Sequence, residues 1–402
     1  MDSFQLRGIP NLHSHAFQRA IAGMAEKRLH PSDSFWTWRE TMYDMASRFT
    51  PDDLYAVARM LYMEMLKSGY TTVCEFHYVH HDVDGSPYSP STAMSDALIA
   101  AAQSTGIALT LLPVLYMTSH LDGAPLLEKQ KRFGHSVETY LHDWEALSAR
   151  QNDGMRLGCA FHSLRAVPLE AMTAIIEELP RATPIHIHIA EQKAEVEECL
   201  RLRGARPVEW LLDNVDVDDR WSLVHATHLT ADEIARTAAS KACVVICPTT
   251  EANLGDGIFA AHEYMLQGGR WGIGSDSHIS VSPVEELRWL EYAQRLTSNQ
   301  RTVLASDEQP SVADYLLQGI TESASNATGY SADELASHII TLDREAAVMV
   351  GASADDVTSR WIFSGNSPVV NDVHIGGRQW IVGGRHALED EITRDYARVF
   401  TG

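Results

Sequence analysis

His13 and His15 stand two residues apart at the end of an apolar run, in the stretch Pro10-Asn11-Leu12-His13-Ser14-His15-Ala16-Phe17-Gln18-Arg19. Side chains alternate across a strand with period two, so both imidazoles point to one side of whatever sheet residues 6–12 enter. Two imidazoles on one side can share a metal ion. Alone, the pair reads equally well as a chance His-x-His with each ring hydrogen-bonded locally. What changes the weighing is the recurrence of ligand-type residues at the ends of later strand-like runs: Glu75-Phe76-His77-Tyr78, His162-Ser163-Leu164-Arg165, His186-Ile187-His188-Ile189-Ala190-Glu191, His225-Ala226-Thr227-His228 and Ser275-Asp276-Ser277-His278. Imidazole and carboxylate concentrated at one rim have no packing purpose, and as a set they favour a metal site.

The elements that must carry these residues alternate along the chain. Short, nearly all-apolar runs at 6–12, 71–76, 107–115, 155–161, 184–190, 222–226, 242–247 and 272–275 read as strands buried on both faces. Helical spacing intervenes, most plainly over 51–68, where Thr50 is a plausible N-cap and Gly69 follows the end. Strand and helix alternating eight times favour an α/β fold, a parallel (β/α)8 TIM-type barrel, with the working residues at the C-terminal strand ends. No Gly-x-Gly-x-x-Gly turn follows any strand, which weighs against a dinucleotide-binding sheet. Residues 30–50, with Trp36, Trp38 and Arg39, read as a long loop over the site. The expected division is a barrel over 1–310 and, over 311–402, a helix followed by a small β appendage. Short runs at 339–342, 347–350 and 361–363 and a hairpin broken by Gly376-Gly377 make up that appendage.

The 402 residues carry a formal net charge of -22, which argues against nucleic acid or an anionic membrane as partner. Five cysteines, mostly in apolar runs, suit reduced thiols in the cytoplasm. No stretch approaches transmembrane length, and the start lacks the pattern of a signal peptide.

These motifs, together with Ser34-Phe35-Trp36-Thr37-Trp38-Arg39-Glu40 and Cys247-Pro248-Thr249-Thr250-Glu251-Ala252-Asn253-Leu254-Gly255-Asp256-Gly257, resemble the amidohydrolase superfamily. Within it they are most similar to the branch that deiminates N-formimino-L-glutamate. The resemblance implies zinc held by His13, His15, His188 and Asp276, with Fe2+ or another divalent ion as a substitute. Binuclear relatives bridge two metals with a lysine at the end of strand four. No lysine occurs anywhere between Phe133 and Gln192, so one ion is expected. His186 shares a face with His188 but lies a layer deeper, and reads as a satisfied interior histidine.

The implied chemistry is attack of water, activated by the metal, on an amidine-like carbon. Glu191 passes a proton to the departing nitrogen, while His225 and Asp276 assist deprotonation of the water. Gln18, Arg39, Tyr78, His162 and Arg165 are the implied substrate contacts, and arginines suit a small substrate with two carboxylates. Alternatives are a zinc deaminase of a nucleobase or pterin, and a non-catalytic relative that only binds a ligand. The resemblance also implies a homodimer. Relatives carry strands ahead of the first barrel strand, so an appendage lacking its leading strands is expected.

Overall fold

The computed structural model describes residues 4–24, 26 and 42–401. Arg39, Trp36 and Trp38, and with them most of the loop expected over the site, lie outside the described residues.

Eight parallel strands form the body of the molecule. They are β2 (Ile9–Ser14), β3 (Tyr70–His77), β4 (Ala108–Leu115), β6 (Cys159–Ser163), β7 (Ile185–Ile189), β8 (Trp221–His225), β9 (Cys243–Ile246) and β10 (Arg270–Ile273), neighbours in that order, with β5 (Met155–Leu157) added beside β4. Nearly every residue in them is buried, as the unbroken apolar runs require when helices cover the outside and side chains fill the inside. The helix Pro51–Ser68 shows how its ends are set locally. The Thr50 hydroxyl accepts from the Asp53 N–H, the Asp53 carboxylate accepts from the Thr50 N–H, Pro51 opens the first turn, and Gly69 ends it at φ 108°.

The barrel closes between its first and last strands, at the two segments that carry His13, His15 and Asp276. The Ser275 and Asp276 N–H groups donate to the His13 carbonyl at 3.1 and 3.0 Å, and the His15 N–H donates to the Asp276 carbonyl at 3.3 Å. Gly274 permits this approach. A Cβ there would lie 2.6 Å from the His13 Cβ and 3.0 Å from its backbone nitrogen, closer than any side chain tolerates.

At the opposite end the helix Val312–Thr328 plugs the barrel. Its last carbonyls have no partner within the helix. His186 Nε2 donates to the Ala327 carbonyl at 2.8 Å and the Thr110 hydroxyl donates to that of Thr328 at 2.7 Å. His186 lies in the barrel interior with Nε2 occupied, while its Nδ1 is buried without a partner among the described residues.

The run read as one strand over 6–12 is two. Residues of β1 (Gln5–Arg7) leave the barrel and pair antiparallel with β11 (Ile339–Leu342), the edge of a sheet continued by β12 (Val370–Ile375), β13 (Arg378–Val382) and β14 (Arg385–His386). Gly8 is the break. A Cβ there would fall 2.2 Å from the Thr71 hydroxyl oxygen, so only glycine lets the chain pass β3 so closely. The hairpin β12–β13 turns at Gly376 and Gly377, both at positive φ (56° and 77°), as a tight two-residue turn needs.

Two short runs expected as strands are not. Residues 347–350 form a turn, and the run 361–363 ends the helix Val357–Phe363. A final helix, Glu389–Arg398, packs on Pro51–Ser68 through Arg59 to Glu391 and Asp395 and Lys67 to Glu389. Among the described residues no helix is long and apolar enough to cross a membrane.

Candidate metal centre and active site

Strand ends bring four ligand atoms together at the mouth of the barrel. His13 and His15 come from the end of β2, His188 from β7, and Asp276 from the turn after β10, with their ligand atoms all within 4.8 Å of one another. His13 Nε2 lies 3.1 Å from His15 Nε2, 3.0 Å from His188 Nε2 and 3.2 Å from Asp276 Oδ1. His15 Nε2 lies 3.1 Å from the same carboxylate oxygen.

The protonation of these rings is fixed by what lies behind them. His15 Nδ1 donates to the Phe76 carbonyl at 2.8 Å and His188 Nδ1 donates to the His162 carbonyl at 3.0 Å. A carbonyl can only accept, so both Nδ1 atoms carry the proton. Burial, and then the charge of a neighbouring imidazole, keeps His13 and His188 neutral, His13 with its pKa lowered to about 3. The Nε2 atoms of His15 and His188, the ring positions left to coordinate, thus converge with His13 and a carboxylate on one point. Lone pairs so close repel, and a divalent cation among them converts that repulsion into coordination. The spacing fits: atoms bound tetrahedrally to zinc at 2.0–2.1 Å lie roughly 3.3 Å apart. A second grouping of His225, Cys247 and Asp276 is less suited, because burial raises the Cys247 pKa and keeps it a thiol.

Beside the four ligands is a relay of carboxylates around His225. Its Nδ1 donates to Glu251 Oε1 at 3.3 Å, and its Nε2 faces Glu191 Oε1 at 3.9 Å and Asp276 Oδ2 at 4.0 Å. Burial is the largest influence and opposes charge on this imidazole, but Glu191, Cys247 and Glu251 together outweigh it and the pKa is raised well above the ordinary value. Glu191 moves upward as well, to about 7, chiefly through burial and against the pull of His225. Its backbone N–H and that of Ala190 donate to Glu195, which holds the turn after β7 in place. Ala190, His225 and Asp276 all take positive φ (53°, 69° and 44°). Left-handed backbone at non-glycine residues is disfavoured and clusters where function fixes it.

These groups open on a cavity of about 480 Å³, a size suited to a small molecule. Gln18, Tyr78, His162, Arg165, His188, Glu191 and His225 are among its lining residues. Gln18 Nε2 donates to the Tyr78 hydroxyl at 2.9 Å, and the Gln18 Oε1 is buried without a partner. Arg165 Nη1 donates to the Tyr116 hydroxyl and to the Ser119 carbonyl, both at 2.9 Å. Among the described residues no carboxylate lies within ion-pair distance of it.

Three residues without an assigned role in the sequence belong to the site: Glu251, which orients His225; Gln192, a lining residue; and Asp256, which accepts from Gln192 Nε2. Glu251 and Asp256 lie in a motif quoted above and Gln192 directly follows another, and their signal was a carboxylate or amide held just past an apolar strand. Other histidines near the strand ends are structural. His278 sits between Ser14 and Ser275, His228 donates to the Asp256 carbonyl, and His80 and His81 donate to the Val114 and Gly134 carbonyls.

The model of the amidohydrolase family matches residues 7–336. The chain belongs to the amidohydrolase family. It is a hydrolase acting on C–N bonds. Formimidoylglutamate deiminase of Pseudomonas aeruginosa is 47% identical to it over 98% of this chain and 88% of that one. The 8-oxoguanine deaminase of the same species is 30% identical over 72% and 64%. A crystal structure of an amidohydrolase from Brucella melitensis superposes with a TM-score of 0.93 at 43% identity, covering 99% of this chain and 89% of that one.

Proposed function

We propose that this amidohydrolase hydrolyses N-formimino-L-glutamate to N-formyl-L-glutamate and ammonia, with one zinc ion held by His13, His15, His188 and Asp276, as a step of histidine degradation. The observation that carries the reading is Arg165, a guanidinium at the cavity wall whose hydrogen bonds, among the described residues, go only to neutral oxygens. A cation so placed is poorly compensated until an anion arrives, and a planar carboxylate meets its remaining N–H groups in a matched pair. The likeness to formimidoylglutamate deiminase names an anion of that kind.

Zinc bound there supplies a Lewis acid that lowers the pKa of water toward about 7. The chain's own groups do the rest. Arg165, with Arg39, holds the carboxylates, and Gln18, Tyr78 and His162 offer polar contacts along the cavity. Water adds to the formimino carbon and its oxygen becomes the formyl oxygen. Its two protons pass to the departing nitrogen, which leaves as ammonia. Glu191, poised to hold and release a proton near neutrality, carries protons to that nitrogen. Asp276 faces the same centre and takes the proton from water, and His225, oriented by Glu251 and with its charged form favoured beside Glu191, assists by donating through Nε2 toward the oxygen where negative charge develops.

Ammonia release by zinc-loaded protein, compared across N-formimino-L-glutamate, formamidine and 8-oxoguanine, tests the proposal. Turnover confined to the dianionic substrate is expected. Turnover of 8-oxoguanine in its place would overturn the reading in favour of a nucleobase deaminase.

A further inference from the structure

Gln192 follows Glu191 directly and lines the same cavity. Its side-chain amide is clamped from behind, since Nε2 donates to Asp256 Oδ1. Asp256 is itself fixed. It is buried, its N–H donates to the Glu251 carbonyl at 2.9 Å, and its own carbonyl accepts from His228 Nε2 at 2.9 Å. With the amide nitrogen committed to Asp256, the oxygen, bonded to the same planar carbon, is directed away from that contact. Among the described residues Gln192 Oε1 has no hydrogen-bond partner, which leaves an acceptor available to whatever enters the cavity.

An acceptor at this place separates the two ends of the proposed reaction. The formimino nitrogen of the substrate bears hydrogens, and so does the ammonia that leaves. The formyl oxygen that replaces it bears none. An oriented carbonyl therefore gains a hydrogen bond from the substrate and meets only a lone pair in the product.

We propose that Gln192 is a specificity-determining residue whose Oε1 accepts from the terminal nitrogen of the amidine, with Asp256 as the positioning residue that keeps the oxygen, not the nitrogen, turned to the cavity. The inference rests on the deiminase reading. It makes the site selective for imino over carbonyl groups and speeds exchange of product for substrate.

The test is steady-state kinetics of the zinc-loaded enzyme, with N-formyl-L-glutamate as inhibitor. Gln192→Leu, similar in size but without hydrogen bonding, should lower kcat/KM for N-formimino-L-glutamate by ~10–100-fold, the worth of one or two hydrogen bonds. Inhibition by the formyl product should stay within about threefold, because the product makes no use of the acceptor. Asp256→Ala should show the same selective loss in part. Asp256→Asn, which keeps an oxygen for Gln192 Nε2, should restore most of it. Equal losses for substrate and product, or a Gln192→Leu enzyme that matches wild type, would overturn this inference alone. A wild-type protein that releases no ammonia from N-formimino-L-glutamate would overturn the deiminase reading and this inference with it.

Discussion

Glu191→Gln should lower kcat for N-formimino-L-glutamate by ~10²–10⁴-fold, the usual contribution of a positioned proton carrier, while KM and bound metal stay nearly unchanged. The substitution keeps shape and removes the proton. Glu191 is suited to the task because burial lifts its pKa to about 7, so near neutrality it neither holds its proton too tightly nor gives it up too early. His225 keeps the shift within bounds, its Nε2 being 3.9 Å from the carboxylate. The side chain also lies three residues beyond His188, on a turn pinned by Glu195, so its reach toward the reacting centre is fixed by backbone. Single-turnover measurements with zinc-loaded variant would check it. A kcat within tenfold of wild type would assign the proton to another group.

Arg165→Met should raise KM for N-formimino-L-glutamate by ~10²–10³-fold with a smaller fall in kcat, since a buried charged pair that loses one partner costs on the order of 2–5 kcal/mol. A carboxylate remote from the reacting carbon is held as firmly in the ground state as in the transition state, and such binding registers mainly in KM. Arg165→Lys should recover only part of the loss, because an ammonium cannot present two parallel N–H groups. Arg165 also ties Tyr116 to the Ser119 carbonyl, so a thermal melt of each variant separates lost binding from a loosened loop. An unchanged KM in a folded variant would remove Arg165 from the binding site.

How far the sequence carried this account depends on the residue. The barrel was legible because each of its strands is a short apolar run between helical stretches, and a strand buried on both faces has no other composition available. The pair His13 and His15 was legible for the same reason, through the period of two. Asp276 was legible only as a carboxylate at the end of the last strand-like run; that it is a metal ligand was implied by resemblance. In the structure it lies beyond the last strand, in a left-handed turn that Gly274 allows to approach His13. Period gives the face of a side chain but not its depth, so Gln192, Glu251 and Asp256 carried no role until the turns after β7 and β9 were placed against each other. The split at Gly8 was hidden because Leu6 and Ile9 are both apolar, although they enter different sheets. The helix Glu389–Arg398 was missed because it is mostly charged and buries only Ile392, its attachment coming from Arg59 and Lys67.

The most direct test of the central claim is ammonia release from N-formimino-L-glutamate while metal-free protein is titrated with zinc. One convergent set of His13, His15, His188 and Asp276 predicts a rate that climbs linearly to one equivalent and then stays level. No release at any zinc concentration, or a rate that rises only with a second equivalent, would contradict it.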